Sequence, residues 1–387
     1  MQQTRREALG RLAAVLAGGG CLTGSGHAVA ADDSPALTVD ARIRRAALRA
    51  ELSQLFTGTT AAEFQAWHTE FRATLNQLLG PTAPPAEWTV SEEQRTELLD
   101  HTRLELLLSS GEEDPVPVYL LLPKQSQPAE SSAAPGKARQ PLPAVVCVHG
   151  HGDHGHHPVA GRRDLAGVEK AIAGANYDYG LQFVRRGYVV AAPCLTPFGQ
   201  RLAGVRSKQM DPCAVSFIRL QALGRLLIGQ NVRDVRWCVD LLQSRPEVDG
   251  NRIGCAGLSY GGRITMLTTA VEDRIKVAAV SGALNLLQER ITHRYSCGAQ
   301  IIPGLLQYGD FPEIGSLIAP RPAVWEVGAK DGLVVAGWDQ KFRDRLGRTY
   351  SAAGAADQLQ FDDFEGGHRW NGQLAFPLFD KVLKAGR

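Results

Sequence analysis

The stretch Gly257-Leu258-Ser259-Tyr260-Gly261-Gly262 places a serine between glycines, where a strand-like run gives way to a helix-like one. Before it, Arg252-Ile253-Gly254-Cys255-Ala256 is short, apolar and small, as suits a strand buried on both faces. After it, the residues from Arg263 to Ala270 read as the first turns of a helix. A chain that turns directly from strand to helix holds the central residue in a strained backbone conformation. Glycines on either side leave the neighbouring backbones room to pass. The hydroxyl then stands clear of the sheet with a helix N-terminus beneath it, which marks Ser259 as a candidate nucleophile.

A G-x-S-x-G pattern also fits plain turn geometry, so the decision rests on its partners. A nucleophilic serine needs a base, and in a strand–serine–helix architecture the acid and then the histidine follow it along the chain. After Ser259 come His293 and His368. His293 lies among polar residues with no acid-bearing strand end before it. His368 lies in the glycine-rich Phe364-Glu365-Gly366-Gly367-His368, after the strand-like Leu359-Gln360-Phe361, and is the expected base. The carboxylate that orients it is expected at Asp331, in the turn Gly328-Ala329-Lys330-Asp331-Gly332 that follows the strand Pro322 to Val327. Sites in open α/β sheets form at such carboxyl ends. Glu326 is the alternative, set back inside the strand, and Asp362 and Asp363 stand too near His368 in sequence to rank first.

The tetrahedral intermediate needs N–H donors for its oxyanion. One is expected from Tyr260, directly after the nucleophile, and the other from the loop beyond the strand Pro143 to Val148, at His151 or alternatively Gly152. That loop, from His149 to His157, carries five of the chain's ten histidines. Imidazoles at this spacing can hold zinc or copper, but no cysteine pair or H-E-x-x-H pattern supports them and one loop lacks a fixed geometry. No metal and no cofactor are expected, and the histidines, His149 among them, are read as lining the mouth of the site.

Further segments carry a family likeness: Val148-His149-Gly150-His151-Gly152, Arg186-Gly187-Tyr188-Val189-Val190-Ala191-Ala192-Pro193, Val248-Asp249-Gly250-Asn251-Arg252-Ile253-Gly254, Ile318-Ala319-Pro320-Arg321-Pro322 and Gly366-Gly367-His368. With the nucleophile turn they resemble the α/β-hydrolase superfamily, in its dienelactone-hydrolase-like and acetyl xylan esterase-like branch, from Leu104 onward. The resemblance implies a serine carboxylesterase, often acting on acetylated or otherwise esterified carbohydrate. Cys194 departs from the pattern, since many relatives carry an aspartate there. Dienelactone hydrolases proper use a cysteine nucleophile, so Ser259 argues against that activity.

Thr4-Arg5-Arg6-Glu7-Ala8-Leu9 is a twin-arginine pattern, followed by an apolar stretch from Leu12 to Leu22 and the small residues Ala28-Val29-Ala30. The apolar part is too short for a stable membrane span, so residues 1–30 read as a signal peptide handled by the twin-arginine export machinery. The expected location is the periplasm or the outside of a bacterial cell. Six cysteines remain after cleavage, at Cys147, Cys194, Cys213, Cys238, Cys255 and Cys297, and their spacing names no disulfide. A net charge of +2, with no basic stripe interleaved with aromatics, argues against nucleic acid as a partner.

Residues 31–95 read as an N-terminal helical extension and 96–387 as the catalytic domain, with apolar stripes at Ile43, Ala46, Ala47 and Leu48 and at Phe64, Trp67, Phe71 and Leu75. The Ser-, Ala-, Pro- and Gln-rich segment 124–141 reads as an exposed loop. Alternating strands and helices from Val145 onward predict an α/β fold, a mostly parallel doubly wound sheet of about eight strands. Segment 281–316 is the expected lid or pocket wall, where Tyr295 is a candidate substrate contact; Trp370 is another, placed to stack on a sugar or acyl group. The substrate is expected to be a small-molecule or oligosaccharide ester. Three other readings share these features: a serine peptidase of prolyl-oligopeptidase type, a binding protein on the same fold, and a histidine-loop metal carrier. The peptidase reading lacks the repeats of a propeller domain.

Overall fold

The structure, a computed structural model, describes residues 38–124, 140–202, 210–294 and 296–385. The expected signal peptide, residues 125–139 of the expected loop and Tyr295 lie outside the described residues.

Helices α1 (Val39–Leu48) and α2 (Ala61–Leu79) come first, each started by a threonine cap. Thr60 accepts the Glu63 N–H while the Glu63 carboxylate returns to the Thr60 N–H, which satisfies donors a helix start leaves open. Helix α2 buries Phe64, Trp67, Phe71, Leu75 and Leu79, and Trp67 stacks on Phe71 with ring centroids 5.4 Å apart. The stripe expected on α1 is not buried: Ala47 alone is covered and Ile43 is 52% exposed. Polar contacts hold α1 instead, with the Arg44 guanidinium donating to the Thr292 carbonyl at 2.5 Å and the Gln288 amide to the Ala47 carbonyl at 3.0 Å.

The sheet then begins with β1 (Thr89–Glu97), β2 (His101–Ser109), β3 (Val116–Pro123) and β4 (Leu142–Val148). Helices α3 (Val168–Ala175) and α4 (Tyr179–Arg185) lead to β5 (Val189–Pro193), and α5 (Pro212–Ala222) and α6 (Leu227–Ser244) to β6 (Val248–Leu258). Next come α7 (Tyr260–Val271), β7 (Ile275–Ser281), α8 (Leu287–Thr292), α9 (Phe311–Ser316) and β8 (Ala323–Gly328). The chain closes with α10 (Trp338–Ala352), β9 (Leu359–Phe364) and α11 (Ala375–Leu383). The nine strands run in the order β1-β2-β3-β5-β4-β6-β7-β8-β9. The pairs from β1 to β5 are antiparallel and those from β5 through β4 to β9 parallel.

Strand β1 lies in the stretch read as helical extension, and the boundary drawn at residue 95 cuts through it. Nearly every residue of β1 is exposed, so no buried face imposes alternation on its sequence, and pairing with β2 alone makes it a strand.

Strand β4 shows why the central strands are apolar throughout. Ala144, Val146 and Val148 face one core, built with α2, α6, α7 and α9, and Val145 and Cys147 face the other, built with α4 and α11. Period-two alternation between two buried faces leaves no polar position. No single helix among the described residues is long and apolar enough to cross a membrane.

Candidate active site

Ser259 joins β6 to α7 with φ 63° and ψ −121°, a left-handed conformation that costs a non-glycine residue on the order of 1–3 kcal/mol. Its N–H donates to the Ser281 carbonyl at 2.8 Å, which ties the turn to the end of β7. At position 261 a Cβ would stand 1.9 Å from the Val148 carbonyl oxygen, so only glycine lets α7 start this close to β4. Gly261→Ala is expected to cost about 3 kcal/mol or more through that overlap, measured as a lower urea midpoint. An unchanged midpoint would mean the turn relaxes freely.

The structure brings Asp331 and His368 together. His368 Nδ1 lies 2.7 Å from Asp331 Oδ2, and the other carboxylate oxygen of Asp331 accepts the Leu333 N–H at 2.9 Å. Facing a carboxylate, Nδ1 carries the proton and Nε2 is left as the acceptor. Burial works to raise the Asp331 pKa, but the hydrogen bond and charge of His368 outweigh it and leave the group below the usual carboxylate range. The His368 ring rests on Gly282, directly after Ser281, where a Cβ would come within 2.7 Å of Cε1. Its Nε2 is shielded from solvent and has no hydrogen-bond partner among the described residues.

The two loops that carry the pair are clamped to each other. The Lys330 N–H donates to the Gly366 carbonyl at 2.7 Å, and Ala329 to Phe364 at 2.9 Å. Glu326, the alternative acid, is spent elsewhere: its carboxylate takes the N–H groups of Asn371 at 3.1 Å and Gly372 at 2.7 Å and anchors the loop beyond His368. Asp362 adds a bond to the Leu374 N–H at 3.1 Å.

Burial pushes the Glu326 carboxyl up to about 7 against the lowering effect of those N–H groups. With a native pKa above its unfolded value near 4.5, Glu326 makes the native state the stronger proton binder, and stability falls as pH rises through that interval. Glu326→Gln is expected to flatten the loss of unfolding free energy between about pH 5 and about pH 8 by on the order of 2 kcal/mol. Identical slopes in wild type and variant would refute it.

Across the serine lies the loop after β4. The Gly150 N–H donates to the Tyr177 hydroxyl at 2.6 Å, and His149 is fully buried beside it. His149 Nε2 accepts the Leu195 N–H at 2.9 Å while Nδ1 faces the Gly150 carbonyl at 2.7 Å, and burial drives its pKa down to about 4. It is a neutral brace for the loop, not a pocket residue. His151, by contrast, opens onto the cleft with Ser259 and Tyr260, its ring against Tyr260 at 4.9 Å and Phe198 at 5.3 Å. His156 and His157 turn away to Tyr119.

Trp370 does not reach the cleft. It is 1% exposed and stacks on Tyr179 at 4.8 Å within the core between α4 and α11, so its expected role toward a sugar or acyl group is corrected to packing. Tyr295, the remaining expected contact, lies outside the described residues. The cleft over Ser259 has a volume of about 250 Å³, and its walls include Asn285, Arg290, Cys297 and Gln300 from segment 281–316, with Leu333 beside Asp331. Cys297 carries no motif, and no local signal in the sequence announces it. Its thiol is held low by the hydrogen bond from Cys213, which outweighs burial, with His151 acting the same way; Cys213 is pushed up by the same bond. A depression of similar size near Gly80 and Arg225 holds no nucleophile among the described residues, and its Glu113 is paired with Arg225 and Arg233.

No family model matches the chain. It is 30% identical over 315 residues to "Putative hydrolase YtaP" of Bacillus subtilis (strain 168), covering 77% of this chain and 93% of that protein. Among solved structures, a "putative acetyl xylan esterase" from Bacteroides fragilis NCTC 9343 superposes with a TM-score of 0.67 at 17% identity, over 86% of this chain and 84% of the other. A glucuronoyl esterase from Solibacter usitatus gives a TM-score of 0.59 at 14% identity, over 86% of this chain and 97% of the other. At such identities these two structures share the fold. The sheet order, the strained serine between β6 and α7 and the extensive likeness to the Bacillus protein together mean that this chain belongs to the α/β-hydrolase superfamily.

Proposed function

We propose that the protein is a serine carboxylesterase that works through an acyl-enzyme. Ser259 Oγ attacks the ester carbonyl while His368 Nε2 takes its proton, and the backbone N–H groups of Tyr260 and His151 receive the oxyanion. His368 returns the proton to the departing alcohol, then activates the water that releases the acid. Asp331 holds the imidazole in the tautomer this requires and stabilises it when charged.

The observation that carries this reading is the strained Ser259 turn set beside a ring whose Nδ1 is bound to Asp331 and whose shielded Nε2 has no partner among the described residues. A buried acceptor left unpaired is costly, and a serine hydroxyl is the donor that would relieve it. The polar cleft wall of Asn285, Arg290 and Gln300 suits an ester of a hydroxyl-rich alcohol. The names of two structural neighbours, acetyl xylan esterase and glucuronoyl esterase, support a carbohydrate ester as substrate. Export by the twin-arginine route, with cleavage after Ala30, completes the proposal on the sequence of residues 1–30.

The test compares acetate release from acetylated xylo-oligosaccharides with hydrolysis of p-nitrophenyl acetate, longer p-nitrophenyl esters and peptide amides. A fluorophosphonate probe should add one label, found by mass spectrometry on the peptide containing Ser259. Labelling elsewhere, or turnover of amides without esters, would overturn the assignment.

A further inference from the structure

Three side chains around the cleft have no task in the ester mechanism, yet they converge. His151 comes from the loop after β4, Cys213 from the first turn of α5, and Cys297 from the residue before the 3-10 turn Gly298–Gln300. His151 Nε2 lies 2.9 Å from Cys297 Sγ, and the three potential ligand atoms all lie within 4.8 Å of one another. We propose that His151, Cys213 and Cys297 form a zinc-binding site on the wall of the cleft, and that its occupation blocks ester hydrolysis at Ser259.

The geometry suits the ion. Tetrahedral zinc with Zn–S near 2.3 Å and Zn–N near 2.0–2.1 Å sets its ligand atoms roughly 3.4–3.8 Å apart, so atoms that start 2.9 Å apart in one pair and within 4.8 Å in all need only small side-chain shifts to admit it. Two sulfurs and an imidazole select a soft or borderline cation over magnesium or calcium, which require oxygen ligands.

The scaffold on the cysteine side is rigid. Asp211 caps α5 by accepting the Cys213 N–H at 3.0 Å, and Gly298 packs so tightly on α5 that a Cβ there would come within 2.6 Å of Phe217 Cβ. Cys213 and Cys297 are both buried, while His151 and Cys297 also line the cleft that contains Ser259. Three protein ligands leave a fourth position for water or substrate. Zinc held here fixes the His151 side chain on the cysteines and fills space beside the proposed oxyanion donor.

The blocking half of the proposal rests on the esterase reading, whereas the binding half does not. The experiment therefore measures both, on the full chain, reduced and stripped of metal. Zinc is titrated against a chromophoric chelator, and cobalt is added separately for the near-ultraviolet thiolate-to-cobalt absorption. Expected are one zinc per chain, a cobalt band of two-thiolate intensity, and a drop of about tenfold or more in p-nitrophenyl acetate hydrolysis that EDTA reverses. Cys213→Ser should keep the metal-free rate but weaken zinc binding by about 100-fold and lose the inhibition.

No zinc bound at protein-stoichiometric concentrations, or equal binding and inhibition in Cys213→Ser, overturns the site. If that variant fails to fold, the presence or absence of the thiolate band in the wild-type cobalt spectrum still decides. Stoichiometric zinc without inhibition overturns the blocking half alone. Absence of any ester hydrolysis in the metal-free chain counts against the esterase reading and the blocking role, while the cobalt spectrum still tests the site.

Discussion

Ser259→Ala is expected to lower kcat for p-nitrophenyl acetate by about 10⁴- to 10⁶-fold, with the fold intact and KM little changed. The expected size follows from the serine supplying the attacking atom: what remains is transition-state stabilisation by the oxyanion donors, without a nucleophile. Stability should hold or rise, since alanine removes one hydroxyl and, among the described residues, no hydrogen bond depends on the Ser259 side chain. Circular dichroism and a urea titration beside the kinetics separate loss of chemistry from loss of fold. A variant that keeps more than about a tenth of the wild-type rate would move the nucleophile elsewhere.

Asp331→Asn should cost about 10⁴-fold in kcat although the substitution is nearly isosteric. Asp331 accepts the His368 Nδ1–H at 2.7 Å, and an asparagine amide turned toward Nδ1 would donate instead, which places the imidazole proton on Nε2 and removes the acceptor for the serine. Asp331→Glu should recover part of the rate, because it restores the charge and accepting oxygens at an altered reach. A simple filler of space would not show that recovery. Because its native pKa is depressed, Asp331 also stabilises the fold above the pH at which an unfolded aspartate ionises, and that contribution disappears as pH falls through the native value. The variant should therefore lose less stability than wild type on acidification. Comparable rates for Asp331→Asn and wild type would shift the orienting role to another carboxylate, and Glu326 is already committed to the N–H groups of Asn371 and Gly372.

The readable and unreadable parts of the chain divide on a physical line. Strands buried on both faces, such as β4 and β6, announce themselves as apolar runs, and the glycines around Ser259 mark a turn whose backbone needs them. Strand β1 is invisible because it is exposed, and the stripe on α1 misleads because polar bonds hold that helix. Trp370 and His149 stand beside site loops in sequence, but one side chain enters the core and the other braces its own loop, since adjacent residues in a loop can point in opposite directions.

The amino-acid order by itself determined the alternation of strands and helices, the strained serine turn, and which acid and histidine follow it, because each depends on neighbours a few residues away. Only the tertiary structure decided that Asp331 and His368 share a hydrogen bond, that Glu326 anchors the histidine loop, and that Cys213 meets the cleft-lining His151 and Cys297. Those contacts join residues tens to well over a hundred positions apart. They arise from strand order and from the direction in which each loop leaves the sheet, which no local pattern of residues encodes.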